Sequence, residues 1–123
     1  MFNHVQIKVN RLETSRIFYD AIMKTLGYSP VLEIKGTVIG YGTSVHDMFE
    51  IRQATQTTVL SKSVHLAFNA PNSQAVDDFY QVALERGAKC NGQPGIRAEY
   101  EEGYYAAFII DPDGHNIEAV CKK

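Results

Sequence analysis

The sequence predicts an α+β chain made of two βαβββ modules, and three observations lead there. The chain matches itself at a nearly constant offset: 61 residues separate His4 from His65, and again Phe18-Tyr19 from Phe79-Tyr80. Each half opens on alternating apolar and polar residues, the period of a half-buried strand, and then changes to helical spacing. Each half also closes on an apolar-Glu-apolar triplet, Phe49-Glu50-Ile51 and Ile117-Glu118-Ala119. One helix per half, set among short strands, defines the α+β class.

Taken in order, Val5, Ile7 and Val9 share one face of a first strand over residues 2–9. Asn10 with Glu13 resembles a capping box, and Phe18, Ala21, Ile22 and Leu26 then fall at helical spacing up to a stop at Gly27. Short strands are expected at residues 31–34, 38–41 and 48–52, with Gly36 and Gly42 at the turns between them. The second half repeats the order. A strand at 64–68 is followed by a cap at Asn72-Ser73 and the stripe Val76, Phe79, Tyr80, Ala83, Leu84, which ends at Gly87. Residues 91–95 and Gly40-Tyr41-Gly42 read as turns, and strands at 104–110 and 116–121 are joined by Asp111-Pro112-Asp113-Gly114.

Composition narrows the function. The 123 residues suit a single domain, with module one at about 1–60 and module two at about 61–123. Twelve Lys and Arg against fourteen Asp and Glu give a net charge of −2 with no basic cluster, so no nucleic-acid partner is expected. The strongest apolar run, Ala106 to Ile110, is far too short to cross a bilayer, so no membrane association is expected either. The alternating N-terminus does not read as a signal peptide. Cys90 and Cys121 are too few for a disulfide framework and are read as packing residues, so the expected location is cytoplasmic.

Strand parity selects four residues. With Val5, Ile7 and Val9 in the core, His4 projects from the opposite face; the same alternation turns His65, Glu50 and Glu118 away from the helix-packed side. If the two modules curl so that those faces meet, two imidazoles and two carboxylates converge. That donor set suits a divalent transition metal, and it equally suits an organic ligand with matching polar groups. A single His or Glu on a strand's polar face is ordinarily a solvated or hydrogen-bonded residue, so it is the symmetry of the set that points to a site. Arg97 is a candidate anchor for an anionic group, and Tyr100, Tyr105 and Tyr41 are candidate pocket walls, with packing the alternative for each tyrosine. His46 and His115 read as exposed loop residues.

The doubled βαβββ order, the His-led strands, the helix Ser15-Arg16-Ile17-Phe18-Tyr19 and the closing run Asp111 to Glu118 resemble the vicinal oxygen chelate superfamily. That group includes glyoxalase I, fosfomycin- and bleomycin-resistance proteins and extradiol dioxygenases. The resemblance spans essentially the whole chain, and its last third looks like a set of short glyoxalase-like proteins. It implies a curved, partly closed mixed sheet around a ligand cavity, one helix packed outside each module, and commonly a homodimer. It also implies metal ligands at His4, Glu50, His65 and Glu118, holding Zn or Ni, with Fe or Mn as alternatives. Glu118 would be the leading base and Glu50 the second. The longer glutathione-contacting segments of glyoxalase I are not recognisable. Two readings follow: a metal-dependent lyase or isomerase acting on a small oxygen-chelating substrate, such as a thiol adduct of a 2-oxoaldehyde, or a metal-free small-molecule binding protein of the bleomycin-resistance type. A thiol transferase of the fosfomycin-resistance kind is a third, without a phosphonate-binding cluster to favour it.

Overall fold

The computed structural model describes residues 1–60 and 62–123. Ser61, on which the expected module boundary falls, lies outside the described residues. The elements run β1 (His4–Val9), α1 (Leu12–Thr25), β2 (Ser29–Ile34), β3 (Val38–Ser44) and β4 (Asp47–Gln53) in the first module. The second contains β5 (His65–Asn69), α2 (Ser73–Glu85), β6 (Lys89–Ile96), β7 (Tyr104–Ile110) and β8 (Asn116–Lys122). This is βαβββ twice, in the α+β class. Each module forms one four-stranded mixed sheet, ordered β1-β4-β3-β2 and β5-β8-β7-β6. In each, the first strand runs parallel to the last and the remaining pairs are antiparallel.

The sheets stay open and separate, and their helix-bearing sides share one core. Ile7, Val9, Phe18, Tyr19, Ile22, Phe49 and Ile51 from module one join Val76, Phe79, Ala83, Ile109, Ile117 and Ala119 from module two in a single apolar cluster. Helix α1 packs against α2, and the Phe49 and Phe68 rings meet edge-on at 5.1 Å across the module boundary. A strand has only two faces, so the other face of each sheet points away from this shared core. The two open faces therefore do not curl toward one another within one chain, and the convergence considered from strand parity alone does not occur there. Burial of the apolar faces against each other is the physical reason. A cleft of about 390 Å³ lies at the module junction between β1, β4 and β5, lined by Val5, Tyr28, Phe49 and Phe68 with Asp47 and Asn69 at its polar end.

The Asp111-Pro112-Asp113-Gly114 turn does more than reverse the chain. Asp111 is buried; one carboxylate oxygen accepts the backbone N–H groups of Asp113 and His115 at 2.9 and 2.8 Å, and the other accepts the Tyr19 hydroxyl at 2.5 Å. Burial, followed by the adjacent Asp111 charge, raises the Tyr19 phenol well above its ordinary range and keeps it a donor. Asp113 reaches across the module boundary to accept the Asn10 N–H at 3.1 Å. The entry to α1 is thus held from outside. Gln53 accepts the Leu12 N–H at 2.9 Å and donates to the Asn10 carbonyl at 2.8 Å, and the N-cap residue Arg11 makes no side-chain cap. The expected capping box at Asn10 is replaced by these tertiary partners. At α2 the local cap is present, Asn72 accepting from the Ala75 N–H at 2.9 Å.

Other departures have similarly local causes. His115 is fully buried, and its backbone N–H donates to the buried Asp111 carboxylate within the turn. Residues 91–95 form part of edge strand β6, whose register against β7 shifts on both sides of Gly92. Pro94 is tolerated there because β6 has no neighbour on its outer side that needs an N–H. Gly40-Tyr41-Gly42 is strand β3. Its Gly42 is required by the close pass of the hairpin, since a Cβ would stand 1.9 Å from the Asp47 carbonyl oxygen. Cys90 is exposed, while Cys121 packs partly against the core.

Replacing Asp111 with Ala strands three buried donors at once. The expected outcome is a loss of about 3 kcal/mol in urea unfolding, with Tyr19→Phe costing about 1 kcal/mol. Equal unfolding midpoints for Asp111→Ala and the parent protein would remove this turn as the link between modules.

Candidate functional site

The open face of the second sheet carries the more complete constellation. β5 and β8 run parallel with Ala67 opposite Glu118, which sets His65 one pleat away on the same face. β7 pairs with β8 so that Phe108 lies opposite Glu118, and Tyr104 and Ala106 share that face by parity. Glu118 is buried at 3% exposure, and both of its oxygens are engaged. The His65 Nε2 lies 2.9 Å from Oε2, and the Tyr104 hydroxyl donates to Oε1 at 2.5 Å. The His65 side chain is about half exposed, so this group opens to solvent on one side. Burial and then the bond to Glu118 push the Tyr104 phenol up to about 12.

The first sheet carries the related half. Gln6 stands opposite Glu50 on the parallel β1–β4 ladder and donates to its Oε1 at 2.9 Å. Lys8 donates to the side-chain Oε1 of Gln6 at 2.6 Å, so a cation is linked to the buried carboxylate through the Gln6 amide. His4 lies exposed at the start of β1, its Nδ1 2.7 Å from the side-chain Oδ1 of Asn3. Among the described residues, no three His, Cys, Asp or Glu side chains come together. The four residues selected by parity therefore divide between the open faces: His65 and Glu118 are in contact on one, while His4 and Glu50 share the other with different partners. Their chemistry still suits a divalent cation, since each face offers an imidazole and a carboxylate. The 2.9 Å between His65 Nε2 and Glu118 Oε2 is a hydrogen-bond distance, so a cation held by both would take the place of that contact.

The remaining predicted residues divide by face. Arg97 lies on the second open face, with its guanidinium 5.4 Å from the Phe108 ring centre. Tyr100 is exposed beside it, its ring 5.3 Å from Tyr104. Tyr41 and Tyr105 belong to the helix-bearing sides. Tyr41 is buried and donates to Asp20 at 2.7 Å, and Tyr105 donates to Asp77 at 2.6 Å. They pack helices onto sheets, and Tyr41 touches a ligand-sized space only where it borders the junction cleft. Tyr104 was missed in the sequence although its signal was present. It shares parity with Ala106 and Phe108, while its neighbour Tyr105 takes the core side.

The two-module βαβββ chain, with an imidazole and a carboxylate on each open sheet face, is the class of protein that the resemblance to the vicinal oxygen chelate superfamily implies. The Glyoxalase/Bleomycin resistance protein/Dioxygenase superfamily matches over residues 1–119, and the chain belongs to that superfamily. No curated protein matches it. A crystal structure of a glyoxalase/bleomycin resistance protein from Albidiferax ferrireducens T118 is similar, at 32% identity and TM-score 0.85 over 98% of both chains. A family enzyme from Burkholderia phytofirmans PsJN superposes with TM-score 0.73 at 17% identity over 98% of both chains. Lactoylglutathione lyase from Agrobacterium tumefaciens does so with TM-score 0.68 at 16% identity, over 98% of this chain and 92% of its own. The last two show likeness of fold alone. No helix among the described residues is long and apolar enough to cross a membrane.

The raised Tyr104 phenol has a defined linkage. Its folded value of about 12 exceeds the ordinary 10.0, so its contribution to stability is complete below pH 10 and is lost as pH rises through about 12. Unfolding measured across that window is expected to show a steeper loss in the parent than in Tyr104→Phe. Identical slopes would mean that the phenol is not held on Glu118.

Proposed function

We propose that the protein is a metal-dependent lyase or isomerase of the glyoxalase type, acting on a small substrate with neighbouring oxygens. The observation that carries this reading is the buried Glu118 carboxylate paired with His65 at 2.9 Å on an open sheet face. Because the open faces diverge within one chain, the metal is proposed to be held by His65 and Glu118 of one copy together with His4 and Glu50 of a second. The outer sides of β1 and β5 have no strand neighbour and are the natural edges for such a homodimer. Superfamily membership and the complete set of four residues support this arrangement.

A divalent cation, when bound, polarises adjacent substrate oxygens and acidifies a hydrogen on the carbon beside them. The protein's own groups handle the proton. Glu118 is the first candidate to accept it: Tyr104 holds one of its oxygens, and the other lies 2.9 Å from the half-exposed His65 ring. Glu50 is the second, with Gln6 on one oxygen and the other free of any protein donor among the described residues. The low exposure of both carboxylates strengthens their interactions with a developing charge.

The alternative, a metal-free binding protein, draws on the absence of any three-donor cluster within one chain among the described residues. Inductively coupled plasma mass spectrometry on untagged protein separates the two readings. About one transition metal per chain is expected, lost in a His65→Ala/Glu118→Gln variant, with sedimentation showing a dimer. Glu118→Gln alone is expected to lower turnover of a 2-oxoaldehyde–thiol adduct by on the order of 100-fold or more with the fold intact. A monomer that takes up no Ni, Zn, Mn or Fe(II) leaves the binding-protein reading as the function.

A further inference from the structure

We infer that Arg97 is a preformed anchor for an anionic group, and that the ligand of the second open face is a small compound carrying a carboxylate, phosphonate or phosphate.

The guanidinium is held in place by the protein. It lies against the Phe108 ring at 5.4 Å and donates from Nη2 to the Gln93 carbonyl at 2.6 Å. Two glycines of β6 make room for it. A Cβ on Gly92 would stand 3.2 Å from Nη2 and 2.8 Å from the Phe108 ring, and one on Gly95 would stand 3.1 Å from Nη1. Gly92 also occupies a φ of 156°, where side chains are strained. The backbone of Arg97 is fastened by its N–H to the Tyr104 carbonyl at 2.7 Å, so the loop that carries the guanidinium starts from the same strand as the Glu118 partner.

The cation has no carboxylate of its own. Arg97 takes part in no salt bridge among the described residues, and Gln93 is its single recorded hydrogen-bond partner. A guanidinium has five N–H donors in a planar fork, so a pair suited to a bidentate oxyanion remains free. Here the ring below it and the glycines beside it fix its orientation while leaving its charge uncompensated.

Its position relates it to Glu118. Gly92, Phe108 and Glu118 are successive cross-strand neighbours on β6, β7 and β8, and two strand spacings amount to roughly 10 Å. Phe108 lies between, its ring also 6.2 Å from His65. A ligand with its anionic end on Arg97 would lie along Phe108 and present its other end to His65 and Glu118. The exposed Tyr100 ring beside Tyr104 supplies a further apolar wall. This inference rests on the same open face being the ligand site, but its charge recognition needs no metal.

The test uses the full-length protein freed of metal by a chelator, with benzoate and its neutral isostere benzamide as probes, followed by nuclear magnetic resonance through the Arg97 Nε–H signal. Benzoate is expected to move that signal in a saturable way, and benzamide to bind about 10-fold more weakly or not at all. Arg97→Gln should weaken benzoate by about 10-fold. Arg97→Lys should recover part of the loss, because it restores charge without the fork. Gly95→Ala keeps the charge and disturbs only the seat, and should weaken benzoate by about 3-fold or more, which carries the test if Arg97→Gln fails to fold. Equal affinity for benzoate and benzamide, or no change in either Arg97→Gln or Gly95→Ala, overturns the assignment. Since no metal is present, failure here is distinguishable from failure of metal binding in the preceding section.

Discussion

The core shared between the two helix-bearing sheet faces is the constraint on which the rest of this molecule depends. Each strand can bury only one face, and both modules bury theirs in the same cluster around Tyr19, Phe49, Phe79 and Ile109. The opposite faces are thereby turned outward in one chain, where polar residues can be placed at no cost to the core. His4 and Glu50 lie on one of those outward faces, and His65 and Glu118 on the other.

The Asp111 turn gives this core its alignment. A buried carboxylate is costly unless its lone pairs are used, and here two backbone donors and the Tyr19 hydroxyl use them. Because Tyr19 belongs to the first module and Asp111 to the second, that requirement sets one helix against the other module's last hairpin. Asp113 adds a bond to the entrance of α1 from the same turn. The polar residues of the turn thus act as an inter-module fastening, while the next strand, only a few residues on, delivers Glu118 to the open face.

The second sheet departs from the first in ways that bear on chemistry. Glu50 is linked through Gln6 to Lys8, whereas Glu118 is flanked by His65 and Tyr104. One face holds a carboxylate steadied by an amide; the other holds a carboxylate with an imidazole and a phenol and borders a guanidinium that forms no ion pair among the described residues.

Much of this was legible in the chain itself, because the information was local and periodic. Alternation over residues 4–9 and 65–69, helical stripes ending at Gly27 and Gly87, and the repeat at 61 residues give the element order, and parity alone assigns His4, Glu50, His65 and Glu118 to one kind of face. Parity also separates Tyr104 from Tyr105, although the choice between adjacent tyrosines depended on a register that only pairing with β8 makes definite. Which faces meet is a different kind of question. It is decided by the burial of apolar area between distant segments, and no spacing in the sequence states that the helix-bearing sides close on each other. The same holds for the cap of α1, where Gln53 and Asp113 arrive from far along the chain, for the burial of His115, and for the seat of Arg97 between two glycines and Phe108. Periodicity encodes which way each side chain points along its own strand; the partners waiting there are set by packing between segments that the chain brings together only on folding.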